Sequence, residues 1–142
     1  MKITDIQIAK DLLGKDGIVF VIAKDGEVLF SSSKKGIQPF FDALEKHPRE
    51  MYSDCSIADR VIGKAALLLA AYLGATHVFT PLASQHAVDV ALKLNLDLDT
   101  EKIVPYIINR SKDGMCPMES AVLDVNDPEE AYIVLKNKIT VV

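Results

Sequence analysis

The sequence predicts an α/β fold, a three-layer α/β/α sandwich on one mixed sheet. In "GIVFVIAKDGEVLFSSS" two β-rich runs flank Asp25-Gly26. Both turn residues tolerate positive φ, so the dipeptide marks an N-terminal β-hairpin. Apolar strand-like runs and helix-start signals then alternate to the end of the chain, which implies helices on both faces of the sheet.

Taken in order, Thr4 and Gln7 can form a capping box for a helix that runs to about Leu13, where "GKDG" ends it. After the hairpin, Pro39 stands near a helix start and Pro48 beyond its end, giving a short helix over about Pro39 to Lys46. "YSDCSIADRVIGKAALLLAAYLG", Tyr52 to Gly74, reads as one helix capped by Ser53 or Asp54 and apolar on every side in its far half. "ATHVFTPLA" is a short buried strand. Ser84 caps the next helix, with Ala87, Val88, Ala91 and Leu92 on one face.

"LDLDTE", with Asp97, Asp99 and Glu101, is expected to be a solvated connection, and "KIVPYIINR" a strand that Pro105 confines to an edge or a bulge. In "DGMCPMESAV", Cys116 falls at an N-cap, Pro117 at the first helical position and Glu119 three residues after the cap. Asp127, Pro128 and Glu130 repeat that grammar, and "ITVV" closes as a strand.

With 142 residues, 49% hydrophobic and 25% charged, the chain suits a single domain, residues 1–142. A net charge of -4 offers no basic field for phosphate backbone or anionic lipid, so no nucleic acid or membrane partner is expected. The N-terminus lacks an uninterrupted apolar core, which points to the cytoplasm. Two cysteines are too few for a disulfide framework.

The candidate site lies on the Tyr52–Gly74 segment. As a helix it sets Cys55, Asp59 and Gly63 at four-residue spacing, with Arg60 and Lys64 on the adjoining row. Cys55 would then sit in a first turn, where unpaired N–H groups favour a thiolate. Cys116 also stands at a helix start, after a loop carrying Arg110, and helix starts in such sheets gather where ligands bind. The two thiols are therefore expected to face one pocket, with Gly63, Ser84 and Glu119 among its ligand-binding residues. The bland reading makes Cys55 a small buried hydrophobe and the charges an ordinary exposed face. Neither cysteine lies in a CxxC or near a histidine at ligand spacing, so no metal and no cofactor are expected. His86, in a first helical turn, is the histidine nearest these groups. "ADRVIGKAA" fails as a phosphate loop, because Ala58 and Ala65 replace its glycine and its Ser or Thr.

The order of elements, "CSIADRVIGKAALLLA" and "NRSKDGMCPMES" resemble a small prokaryotic family of unknown function with a cytidine-deaminase-like fold. The resemblance covers nearly the whole chain. It implies a site at the N-terminal ends of the central helices and allows a homodimer. Zinc deaminases carry a His-Ala-Glu or Cys-Ala-Glu and a Pro-Cys-x-x-Cys signature there. Here Ile57-Ala58-Asp59 and Pro81-Leu82-Ala83-Ser84-Gln85 would occupy those places without the ligands.

Two functional classes follow. One is a cysteine-dependent enzyme acting on a small anionic or nucleotide-like ligand, with Cys55 or Cys116 as nucleophile, Asp59 as acid/base, and Arg60, Lys64 and Arg110 holding the anion. The other is a non-catalytic small-ligand binding or sensor domain that uses the same pocket.

Overall fold

The computed structural model describes residues 4–109 and 111–140. Arg110, expected to hold an anion, lies outside the described residues, as do Val141 and Val142 of the expected closing strand. Six strands form one mixed sheet: β1 (Phe20–Lys24), β2 (Glu27–Ser32), β3 (Ser56–Asp59), β4 (Val61–Ile62), β5 (His77–Ser84) and β6 (Asp97–Val104). Six helices accompany them: α1 (Asp5–Leu12), α2 (Gln38–Lys46), α3 (Lys64–Leu73), α4 (Gln85–Lys93), α5 (Pro117–Ala121) and α6 (Pro128–Thr140). β1 pairs antiparallel with β2 and β3, while β5 pairs parallel with β3, β4 and β6. β3 and β4 follow one another along a single edge of β5, with Arg60 between them.

Alternation along the strands divides the core. Val21, Ala23, Ala58 and Phe79 face α1 and its Ala9. Phe20, Ile22, Ile57 and Val78 face the larger cluster, to which α2, α3, α4 and α6 contribute. The caps are local. Thr4 Oγ1 accepts from Gln7 N at 3.3 Å, but the Gln7 side chain turns to Asp11 instead of closing the box. Asp5 accepts from Asp25 N and Gly26 N, tying α1 to the turn between β1 and β2. Ser84 Oγ caps α4 through Ala87 N, and Asp127 caps α6 through Glu130 N.

The long helix expected over Tyr52–Gly74 is two different things. Ser56–Asp59 is a strand buried at every position between β1 and β5, and the helix starts only at Lys64. Asp54 at φ 62 stops helical continuation from the 3-10 turn at Arg49–Tyr52. A four-residue run carries no decisive period, and sheet pairing on both sides settles its conformation.

Three smaller expectations also change. Asp97, Asp99 and Glu101 belong to β6 and point to solvent from an edge of the sheet. Ile139 and Thr140 continue α6 where a strand was expected. On α4 the buried face is Ala87, Val90 and Ala91, and Leu92 is 74% exposed. No helix is long and apolar enough to cross a membrane among the described residues.

Candidate functional site

β3 ends at Asp59, β4 is a two-residue continuation, and Gly63 is the N-cap of α3. The strand ends and helix starts therefore meet at Asp59–Gly63, where an α/β sheet opens a crevice. A cleft of about 180 Å³ lies there. Its floor is Asp59, Gly63 and Ala66; Lys35–Ile37 form one wall, and Ile107, Cys116, Met118 and Glu119 close it from the segment after β6. Val19 and Val61 add apolar surface and Arg60 is exposed at its edge.

Glu119 organises this region. Its side chain is 1% exposed, and its Oε1 accepts from Lys64 N at 3.1 Å and from Ser84 Oγ, while Oε2 accepts from Ile107 N at 2.6 Å. One carboxylate thus sits against the N-termini of α3 and α4, where backbone N–H groups favour a negative charge. His86 Nδ1 lies 3.4 Å from Oε1 without hydrogen-bond alignment.

Asp59 is the other carboxyl of the cleft. It is 6% exposed, and its buried Oδ2 has no hydrogen-bond partner among the described residues. Burial pushes its pKa well above the ordinary value, against the backbone amides of Arg60 and Val61 and the Arg60 guanidinium, which pull it down.

Asp59, Arg60, Gly63, Cys116 and Glu119 line this one cleft. Cys55, Lys64 and Ser84 do not. Cys55 precedes β3, with no helix start near it, and is sealed in the larger core cluster; burial pushes its thiol up to about 12. The basis for expecting a thiolate there is gone, and the two cysteines do not share the cleft. Lys64 is buried and its Nζ donates to Leu123 O at 2.6 Å; desolvation lowers its pKa. Its ammonium fastens the end of α5 and does not hold an anion in the cleft. Ser84 is spent on capping α4 and on Glu119. The sequence reading missed Lys35, Ile37, Ile107 and Met118, for which only the Lys-Lys-Gly turn ahead of α2 gave a signal.

Two measurements follow from these placements. Alkylation of the folded protein should label Cys116 at least about a hundredfold faster than Cys55, since an inaccessible thiol with a raised pKa supplies almost no thiolate. Mass mapping that finds Cys55 modified first would contradict it. In Gly63→Ala the new Cβ would meet Ile107 Cγ1 at 2.8 Å and Glu119 Cδ at 3.3 Å. The backbone φ of -95 suits any residue, so the cost is steric, and a loss of about 1–3 kcal/mol in stability is expected in denaturant unfolding.

No group of three or more His, Cys, Asp or Glu residues is placed to hold a metal ion among the described residues. No curated protein matches the chain. The crystal structure of a DUF1893 family protein (TM1506) from Thermotoga maritima is similar, with a TM-score of 0.82 and 20% identity over 97% of this chain and 92% of that one. At this identity the likeness speaks for the fold. Residues 8–139 match the TM1506 family, a domain of unknown function (DUF1893), and the chain belongs to that family.

Proposed function

We propose that the protein is a small-ligand binding domain of cytidine-deaminase-like fold, and that the cleft at Asp59 receives the flat, hydrogen-bonding part of a nucleotide-like ligand. The observation that carries this reading is Asp59, which lines the cleft and is a carboxyl more than nine-tenths buried with an unpartnered, buried oxygen. Unpaired buried polar atoms are costly, and they persist where a partner is supplied from outside. Burial raises its pKa and so favours the protonated carboxyl, which can donate one hydrogen bond and accept another, as the edge of a heterocyclic ring requires. Val19, Val61, Ile107 and Met118 supply the apolar surface against which such a ring would lie.

Calorimetric titration with the four ribonucleosides tests this reading. At least one should bind saturably, and Asp59→Ala should weaken it by about tenfold or more, the loss of about 1.4 kcal/mol of interaction. Asp59→Asn, which keeps a neutral donor and acceptor of the same shape, should stay within about threefold. No saturable binding by any of the four, or equal affinity in Asp59→Ala, would sink the reading.

A cysteine-dependent reaction survives as a second reading through Cys116 alone, because that thiol lines the cleft with Asp59. If Cys116→Ser leaves every ribonucleoside affinity unchanged and no covalent adduct forms on incubation with them, the binding reading is preferred.

A further inference from the structure

Besides Asp59 Oδ2, one other buried side-chain atom lacks a hydrogen-bond partner among the described residues: His86 Nδ1. It lies 3.4 Å from Glu119 Oε1. A carboxylate oxygen offers a pair of acceptor sites, and those of Oε1 are taken by Lys64 N and Ser84 Oγ. The imidazole is therefore a third claimant on a filled acceptor.

Glu119 is the only carboxylate within ion-pair distance of this ring among the described residues. A lone pair on Nδ1 would face that carboxylate, so the neutral ring carries its N–H there and a second proton enters at Nε2. The side chain is 34% exposed, which leaves the outer nitrogen in reach of solvent. Other charges surround the pair at greater range. Lys64 of α3 is fastened to Leu123 O, with Lys93 and Asp124 in its electrostatic reach. On α4 itself Asp89 accepts from Gln85, and on β6 alternation with the core residue Leu98 sets Lys102 on the face that α4 covers.

We propose that His86 is a proton-operated switch on the cleft wall: its imidazolium takes the Oε1 site held by Ser84 Oγ and draws the Glu119 carboxylate toward α4, which loosens the bond from Ile107 N to Oε2. Ser84 is the partner that yields, because its hydroxyl can rotate to water while still accepting from Ala87 N. Lys64 N, by contrast, is fixed in the first turn of α3. The exchange replaces a neutral donor on Oε1 by a charged one, roughly twice as strong. Glu119 and Ile107 both line the cleft, so its wall responds to the proton whatever the cleft binds.

NMR of the whole chain from about pH 8 to about pH 5, the interval in which imidazole changes charge, tests it. The amide signals of Lys64 and Ile107 should shift with the same midpoint as the His86 ring. Protection of the Ile107 amide, corrected for the intrinsic exchange rate, should fall about tenfold toward the acid end. His86→Gln should leave both amides level. His77→Gln should leave the response intact, since His77 stands at the opposite end of β5 beside Asp97. Asp59 also titrates and lines the cleft, so the series is repeated in Asp59→Asn, where the response should persist. Level Lys64 and Ile107 amides in the parent, an undiminished response in His86→Gln, or its loss in Asp59→Asn would each overturn the switch.

Discussion

Glu119→Ala should cost about 3–5 kcal/mol of stability, because it leaves several buried donors without their acceptor at about 1–3 kcal/mol each before relaxation. The carboxylate accepts from Lys64 N, Ser84 Oγ and Ile107 N in a site with almost no exposure. Truncation leaves all three donors unpaired, and each buried unsatisfied group costs about 1–3 kcal/mol, with the sum reduced by local relaxation and water entry. Glu119→Gln keeps one acceptor oxygen and turns an amide toward the remaining donors, so about half the loss is expected. The effect should spread along one segment. Ile107 and Glu119 bracket the stretch that closes the cleft, so its amide exchange should quicken while that of β1 and β3 stays slow. Urea unfolding placing Glu119→Ala within about 1 kcal/mol of the parent would show that Glu119 does not anchor this segment. If that variant does not fold, Glu119→Gln carries the same test with its smaller shift.

The sequence made Glu119 visible for a reason that proved incomplete. Its place three residues after Cys116 marked the start of α5, and α5 does begin at Pro117. The carboxylate nevertheless serves α3 and α4, whose contributions lie 55 and 35 residues away in the chain. Capping grammar is local and could find the helix starts at Thr4, Ser84 and Asp127, where the acceptor and its amide lie within one turn. It could not find a cap delivered from another element.

The same limit explains Cys55. Read alone, Ser56–Asp59 joins smoothly onto the apolar helix that follows, because "SIAD" is too short to show a period of two. Only its pairing with β1 and β5 makes it a central strand, and that pairing buries Cys55 and turns Asp59 into the end of a strand. The helical stripe through Asp59 does not exist, yet Asp59 lines the cleft, because a strand end and a helix start converge on the same crevice. Lys35 and Ile107 had no such marker. They reach the groove through loops whose paths only the folded chain defines.

Asp59→Asn should remove a pH dependence from the stability of the protein. In the folded chain, burial holds the Asp59 proton to a higher pH than the ordinary value of 3.8 that applies once the chain unfolds. Between those two values the folded state binds more protons than the unfolded state. Stability from this group is therefore fully present below the unfolded value, declines as pH rises through the interval, and is flat above the raised folded value. Asp42 works in the opposite sense: hydrogen bonding from Gln38, assisted by Lys34, lowers its pKa, so its contribution is lost only as pH falls. The parent curve mixes such terms, and the difference between parent and Asp59→Asn isolates one of them. The variant should gain on the parent as pH rises from the ordinary value of 3.8 to the raised folded value, because only the parent must ionise a buried carboxyl with an unpartnered oxygen. Ligand affinity should follow the same proton. A ring acceptor that takes its hydrogen bond from the Asp59 carboxyl binds the protonated form, so parent affinity should fall by about tenfold per pH unit above the folded pKa while that of Asp59→Asn stays level. Parallel stability curves for the two proteins across this range would mean that Asp59 ionises as an exposed carboxylate does, and the neutral donor assigned to the floor of the cleft would be lost with it.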